Sequence, residues 1–302
     1  MTASDEAAVG DQRVADLHLH STASDGSDAP AAVVRRAAAM GFATIALADH
    51  DTMDGVAEAA AAGDALGVEV IPAVEYSTLD GEREIHMLGY GLDPDDPTLR
   101  DELARLRRGR LNRAESMVER LNALGYSVSW ERVREIAGDE NIGRPHIARA
   151  MVEVGIIAEI KDAFTEQFIA SKGRAYVERV KISPEEAIAQ IRAAGGVPVL
   201  AHPGRFRADD DRIDDAVIER YVDAGLRGIE VYYSRHTEAM VAHYASLVER
   251  WRLVATGGSD DHGLYAEGSL MGRIRLPRFL VARLQEAIAE AARARGQAER
   301  LM

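Results

Sequence analysis

The chain has 302 residues, of which 47% are hydrophobic, no cysteine, and a formal net charge of −14 at pH 7. The apolar content excludes a disordered chain and suffices for one large domain or one domain with an insertion. The lack of cysteine excludes disulfides and thiolate metal sites, and the acidic balance argues against broad binding of duplex DNA.

The first residues, "MTASDEAAVGDQR", contain no apolar run typical of a signal peptide. No later segment reaches the roughly 18 uninterrupted apolar residues that a membrane-spanning helix needs. We therefore expect a soluble, cytoplasmic protein with no membrane partner. Nothing in the sequence indicates an obligate protein partner.

Short runs rich in Val, Ile and Leu alternate with Ala-rich amphipathic segments, which predicts strands and helices in turn. The predicted strands are "RVADLHLHS", "ATIALADHDT", "VEVIPAVEYST", "REIHMLGYGL", "GGVPVLAHPG", "LRGIEVYYS" and "RLVATGGSDDHG". Nearly every one of them ends in a histidine, an aspartate or a glutamate. Because active sites of parallel α/β proteins lie at the carboxyl ends of strands, this recurrence predicts one composite site.

The strand pattern stops between about residue 100 and residue 171, where "LARLRRGRLNRAESMVERLNALG" and "PHIARAMVEVG" predict helices. We expect a helical insertion domain, 101–171, that forms one wall of a cleft. It would interrupt an α/β domain made of residues 1–100 and 172–302. Six arginines from Arg100 to Arg113 resemble an RNA-binding run, but at helical spacing they point in several directions. We interpret them mainly as a solvated helix surface.

Two histidines, His18 and His20, lie two residues apart in "ADLHLHS". On a strand this spacing places both side chains on one face, so the two imidazoles converge on one point. A metal ion satisfies that geometry, and Asp25 in the following loop is close enough to reach a neighbouring ion. Taken alone, the pair is explained equally well by ordinary core or surface histidines.

The other predicted strands strengthen the metal hypothesis. They supply further donors: His50 beside Asp49 and Asp51, then Glu75, His86, His202, Asp260 and His262. Together with His18 and His20, six of the nine histidines lie at predicted strand ends. Independent structural histidines would not be expected to gather in this way. Donor sets of imidazole and carboxylate without thiolate favour Mn, Fe or Zn.

These motifs, in this order, resemble the polymerase and histidinol phosphatase (PHP) family of metal-dependent phosphoesterases over residues 14–100 and about 172–265. The resemblance implies a distorted (β/α)7 barrel with a helical insertion and two or three divalent ions in a cleft. It implies catalytic roles for Glu75, His202 and Asp260. The implied ligands are His18, His20, Glu75 and Asp260 for one ion; Glu75, His86 and His202 for a second; and Asp25, His50 and His262 for a third.

By layout the chain is most similar to the enzymes of this family that remove a phosphate from nucleoside 3′,5′-bisphosphates, some of which also shorten RNA from its 5′ end. Those enzymes too carry a helical insertion. In "NIGRPHIARA", Pro145 suits the first position of a helix, with Arg144 just before it and His146 just after. A helix N-terminus beside an arginine predicts a phosphate clamp, and a plain helix start with a surface arginine is the alternative.

Four more residues are candidates for substrate binding, although ordinary surface loops would explain most of them as well. Lys172 lies in "SKGRAYV", Arg205 follows the ligand His202, and Ser234 and His236 follow the sixth predicted strand. Each side chain could hold a phosphate or line the cleft.

The expected activity is hydrolysis of phosphate from nucleoside 3′,5′-bisphosphates, and from short 5′-phosphorylated RNA, by a metal-activated hydroxide that attacks phosphorus in line. One rival is a histidinol-phosphate phosphatase. The other is a non-catalytic metal-binding regulatory module, which the presence of all nine expected ligands argues against. The region around Arg144 favours a nucleotide, because a bisphosphate needs a second anion site away from the ions.

Overall fold

The computed structural model describes residues 14–138, 142–177, 182–204, 212–263 and 268–300. All seven predicted strands are present: β1 Val14–Leu19, β2 Phe42–Leu47, β3 Glu69–Asp80, β4 Arg83–Tyr90, β5 Val197–Leu200, β6 Gly228–Tyr233 and β7 Val254–Gly258. A two-residue strand, β8 Leu276–Pro277, pairs with β1 at the outer edge.

The strands form one sheet in the order β7-β6-β5-β4-β3-β2-β1-β8. Neighbours within β1 to β3 and within β5 to β7 are parallel, whereas β4 is antiparallel to both β3 and β5. This reversed strand is what distorts the barrel. The prediction of a distorted (β/α)7 barrel is confirmed.

The barrel nearly closes where the chain beyond β7 reaches β1. The amide of Asp260 donates to the carbonyl of His18 at 2.9 Å, and the amide of His20 donates to the carbonyl of Asp261 at 3.0 Å. A Cβ at Gly258 would lie 2.3 Å from the Cβ of His18. Only glycine therefore allows the two strands to approach this closely.

Six helices surround the barrel: α1 Pro30–Ala39, α2 Val56–Leu66, α6 Pro184–Ala193, α7 Asp215–Ala224, α8 Glu238–Trp251 and α9 Arg278–Glu299. The alternation along β1 follows the expected period of two, because Leu17 packs with residues of α9 and Leu19 with residues of α1. His18 and His20 therefore face the barrel interior. No helix of the described residues has the length and apolar content to cross a membrane.

The chain between β4 and α6 contributes α3 Pro97–Ala123, α4 Trp130–Ala137, α5 Arg144–Glu153 and a 3-10 helix, Ile160–Ala163. The first half of α3 packs on the barrel through Leu99, Leu103 and Leu106. Its second half packs into a separate apolar core that also holds Ile147 and Phe168. One helix thus belongs to two cores, and the domain boundaries at residues 101 and 171 stay a prediction.

Candidate metal centre

The carboxylate of Glu75, fully buried on β3, lies at the centre of the site. Five imidazole rings surround it. Its Oε1 lies 2.7 Å from His86 Nδ1 and 2.8 Å from His202 Nε2, and its Oε2 lies 3.3 Å from His18 Nε2, 3.3 Å from His20 Nε2 and 3.0 Å from His50 Nδ1. The two oxygens of one carboxylate therefore face two different groups of nitrogen donors.

All nine predicted ligands lie in this one region. Three groups have donor atoms within 4.8 Å of one another: His18, His20, Glu75 and Asp260; His50, Glu75 and His86; and His20, Asp25, His50 and His262. The first group coincides with the predicted set for the first ion. His202 shares Glu75 Oε1 with His86, and the third group holds the predicted three residues together with His20.

Two ligands occupy positions that differ from the expectation. Glu75 and His86 lie inside β3 and β4, which form a hairpin paired from Ala73 to Asp80, whereas the sequence suggested strand ends. The hairpin extends beyond β2, so that the amide of Glu75 donates to the carbonyl of Asp49 at 3.1 Å. Mid-hairpin residues thereby reach the level at which β2 ends and His50 follows.

The donor atoms at the centre fit divalent ions. His18 Nε2, His20 Nε2, His50 Nδ1 and Glu75 Oε2 are buried and have no hydrogen-bond partner among the described residues. Buried polar atoms without partners are rare and destabilising in folded proteins. Divalent ions would use these atoms, with His18, His20 and Glu75 in one ligand group and His50 and Glu75 in another. Imidazole with carboxylate is a donor set that Mn, Fe and Zn accept.

The charges in the site favour cations. Burial opposes ionisation of Glu75, but the surrounding imidazoles, led by His50 and His86, hold the pKa of its carboxyl well below the usual range. Burial likewise opposes ionisation of Asp260, and His18 and His20 outweigh it, so that its pKa is also well below the usual range. The site therefore presents ionised carboxylates to whatever lies between the rings.

Backbone strain occurs at two of the ligands. His202 and Asp260 have φ values of 28° and 57°, in the left-handed region that residues other than glycine rarely adopt. His202 lies two residues after the end of β5, and Asp260 lies two residues after the end of β7. Such strain persists where surrounding contacts determine the conformation, and it is concentrated at functional sites.

The sequence interpretation missed the buried carboxylate of Glu230 on β6. Its Oε1 lies 3.0 Å from His18 Nδ1, and its Oε2 accepts the amide of His202 at 2.8 Å. A single charged residue inside the apolar run "GIEVYY" was the signal that could have indicated it. Asp49, named only as a neighbour of His50, accepts the hydroxyls of Ser21 and Ser24 at 2.7 and 2.6 Å.

The expectation that the α3 arginines form a solvated surface is wrong for Arg110. Arg110 is 8% exposed and donates to Asp51 Oδ2 at 2.7 Å and to Ser77 Oγ at 2.9 Å. Arg107 donates to Thr52 and forms an ion pair with Asp54. Asp51, Thr52 and Asp54 lie in the loop directly after His50, and Ser77 lies on β3, because α3 crosses that edge of the barrel.

A cavity of about 830 Å³ opens over the ligands. One side is formed by predicted metal ligands, and the other side is formed by the insertion, through Pro145, His146, Arg149, Val152, Ala158, Glu159, Ile160, Lys161 and Phe164. A smaller cavity of about 190 Å³ adjoins it, and its lining includes Arg110, Arg113 and Arg144 together with Asp25 and His50.

The predicted substrate residues are placed differently from one another. Arg144, the first residue of α5, lines the smaller cavity and pairs with Glu84 at 3.4 Å. His146 lines the larger cavity, its Nδ1 accepts the amide of Gly143 at 3.0 Å, and burial lowers its pKa.

Three further candidates lie outside the lining of these two cavities. Lys172 is exposed and pairs with Glu82 at 3.1 Å, and Ser234 donates to the carbonyl of Ser259 at 3.0 Å. His236 donates through Nδ1 to the carbonyl of Val231 at 2.8 Å, and its Nε2 accepts the amide of Gly204 at 3.1 Å. Arg205 lies outside the described residues.

A match to the PHP domain covers residues 16–128. A 3′,5′-nucleoside bisphosphate phosphatase of Chromobacterium violaceum is 37% identical over 248 residues, which is 82% of this chain and 86% of that protein. The chain belongs to the PHP domain family. It is a metal-dependent phosphoesterase and therefore a hydrolase.

Other PHP proteins are similar over comparable lengths. The 5′-3′ exoribonuclease Rnm of Salmonella typhimurium is 33% identical over 82% of this chain and 84% of its own. A phosphoribosyl 1,2-cyclic phosphate 1,2-diphosphodiesterase of Eggerthella lenta is 32% identical over 87% of this chain and 99% of its own. A solved structure from Bifidobacterium adolescentis, described as a metal-dependent phosphoesterase, matches with a TM-score of 0.81 at 31% identity, over 90% of this chain and 96% of that one.

Proposed function

We propose that the protein removes a phosphate from nucleoside 3′,5′-bisphosphates and from the 5′ end of short RNA, using two or three ions of Mn, Fe or Zn. The observation that carries this proposal is the cavity of about 830 Å³, which has metal ligands on one side and the insertion on the other. A phosphate group alone would fill only a small part of that volume. The named activities of the Chromobacterium and Salmonella relatives support the same substrates.

The insertion side of the cavity suits a nucleoside that carries a second anion. Arg149 contributes positive charge, Lys161 forms an ion pair with Glu159 at 2.6 Å, and the ring of Phe164 is 38% exposed. Cations hold a second phosphate by charge-assisted hydrogen bonds, and an exposed aromatic ring offers a surface on which a base stacks. Arg144 adds a guanidinium in the adjoining cavity, 5.6 Å from the centre of the Phe164 ring.

Each ligand group suggests a role for the residues that form it. Glu75 would bridge two ions, since each of its oxygens faces a separate group of imidazoles. His202 and Asp260 line the cavity and would meet the reacting phosphate, and the hydroxyl of Tyr233 holds Asp260 by donating to its Oδ2 at 3.1 Å. Bound divalent ions supply a Lewis acid and activate water for in-line attack on phosphorus.

The main rival within the class, histidinol phosphate, fits the cavity less well. It carries one phosphate and an ammonium group, which would approach a side of the cavity where Arg149 is positive and Lys161 is paired with Glu159. Like charges brought together in a partly enclosed cavity repel each other. The Eggerthella relative is named for a 1,2-cyclic phosphate substrate, so a 1,2-cyclic phosphate is the second alternative substrate to test.

The test is phosphate release by metal-loaded protein. The substrates are a nucleoside 3′,5′-bisphosphate, the matching 3′- and 5′-monophosphates, a short 5′-phosphorylated RNA, histidinol phosphate, a 1,2-cyclic phosphate and a small aryl phosphate. We expect the highest kcat/KM for the bisphosphate and loss of all activity on chelation. A monophosphate or histidinol phosphate that equals the bisphosphate would refute the substrate. Metal-loaded protein that hydrolyses none of these esters would refute the proposed activity.

A further inference from the structure

We propose that Glu230 is a positioning residue that orients one ligand of each of two ions through its two carboxylate oxygens. The inference rests on the proposed metal binding and extends it to a residue outside the ligand set. Glu230 is fully buried, with Oε1 3.0 Å from His18 Nδ1 and Oε2 2.8 Å from the amide nitrogen of His202.

The local structure of β6 aims this side chain into the barrel. The flanking residues Ile229 and Val231 pack outward in the core formed with the surrounding helices. The pairing of β6 with β7 shifts register between Glu230 and Tyr232. Irregularities of this kind occur beside active sites, where they redirect side chains. Glu230 and Tyr233 thus both reach ligands, although simple alternation places them on opposite faces.

The contact to His18 determines which ring nitrogen is available to an ion. Where Glu230 Oε1 is the acceptor in this contact, the proton of a neutral His18 is on Nδ1. The lone pair is then on Nε2, which lies 3.3 Å from Glu75 Oε2 and 3.6 Å from Asp260 Oδ1. Carboxylates that accept from the distal nitrogen of a metal-binding histidine fix both its tautomer and its ring orientation.

The contact to His202 acts through the backbone. The amide of this residue, at a φ of 28°, donates to Glu230 Oε2. Without that acceptor a buried amide would lose its partner at a residue whose backbone is already strained. The imidazole it positions lies 2.8 Å from Glu75 Oε1, on the side of Glu75 that His18 does not face. Glu230 therefore contacts one ligand on each side of Glu75, the carboxylate that is proposed to bridge two ions.

Glu230→Gln tests this assignment, because the amide has nearly the same shape but one acceptor and one donor group. Either orientation of the amide disrupts one of the two contacts. In chelator-buffered metal titrations we expect the ion whose contact is disrupted, either the one that uses His18 or the one that uses His202, to bind about 10- to 100-fold more weakly. The ion held by Asp25 and His262 should bind within about twofold of wild type. Asp96→Asn is the control, since it alters a buried carboxylate that caps α3 far from the ligands.

Equal weakening of all ions, accompanied by a loss of thermal stability like that of Asp96→Asn, would overturn the assignment in favour of a general structural role. Unchanged affinities would overturn it as well. Wild-type protein that binds no ion would overturn both this inference and the proposed function, whereas normal wild-type binding with an unaffected Glu230→Gln variant would overturn this inference alone.

A second measurement needs no variant that might fail to fold. In wild-type protein loaded with Zn and labelled with ¹⁵N-histidine, we expect His18 to show a protonated Nδ1 and a metal-bound Nε2. A metal-bound Nδ1 at His18 would contradict the proposed contact to Glu230 and overturn the inference.

Discussion

Replacing Glu75 with glutamine removes one charge from the centre of the site and nearly preserves the shape of the side chain. Unit charges about 4 Å apart interact by about 4 kcal/mol at an effective dielectric of 20. The oxygens of Glu75 lie 2.7–3.3 Å from five ring nitrogens, so that an ion shared with those nitrogens would lie within that range. Since each 1.4 kcal/mol is a factor of ten, we expect each bridged ion to bind at least roughly a thousandfold more weakly.

The assay combines elemental analysis after dialysis against a chelator buffer with calorimetric titration of the metal-free protein. Glu69→Gln is the matched control, because it removes the same charge from the other end of β3, where Glu69 is exposed and contacts Thr44 and Gln285. We expect the Glu75 variant to lose more than one ion per chain and the control to lose none. A Glu75→Gln protein with wild-type ion content and affinity would refute the bridging role.

Three other predictions follow from separate parts of the chain. Asp25→Ala should deplete one ion while the ion near His18 stays bound, and elemental analysis showing loss of every ion would contradict separate sites. Arg144→Ala should lower kcat/KM for the bisphosphate about 10- to 100-fold more than for a small aryl phosphate, since a charge-assisted contact contributes about 1.5–3 kcal/mol; equal losses would place Arg144 elsewhere. Asp96→Ala should lower the free energy of unfolding by about 0.5–2 kcal/mol in thermal denaturation, because it removes the N-cap of α3, whereas alanine at the exposed Asp95 should leave it unchanged.

The seven strands and the location of the site were predictable because both depend on local pattern. A period of two fixes which face His18 and His20 share, and strands that end in acidic residues or histidines indicate where the site forms. The structure brings together eight of the residues that this reasoning and the family resemblance selected, and the ninth, His202, contacts Glu75. Their assignment to individual ions stays a prediction.

Other features could not be predicted because they depend on the packing of distant segments. The antiparallel hairpin that carries Glu75 and His86 is an exception, because its two-residue turn at Gly81 and Glu82, with a φ of 58° at Gly81, was a local signal that the sequence interpretation did not use. The contact of Arg110 with Asp51 joins residues far apart in sequence, and helical spacing alone gave no reason to bury that arginine. Glu230 contacts His18 across a sequence separation of 212 residues, and the pattern of β6 alone does not indicate which residue its inward side chain meets.

The shared helix α3 constrains how the insertion can be exchanged between relatives. Its first half is fixed to the loop after His50 through Arg107 and Arg110, while its second half builds the core of the insertion. An α-helix has 3.6 residues per turn, so one residue added or deleted after Arg110 would rotate everything beyond it by about 100°. The cavity wall that holds Phe164 would turn with it. The substrate range can therefore change by substitution of residues that line the cavity. It can also change by replacement of the whole insertion, provided that the new insertion keeps the same orientation about the axis of α3.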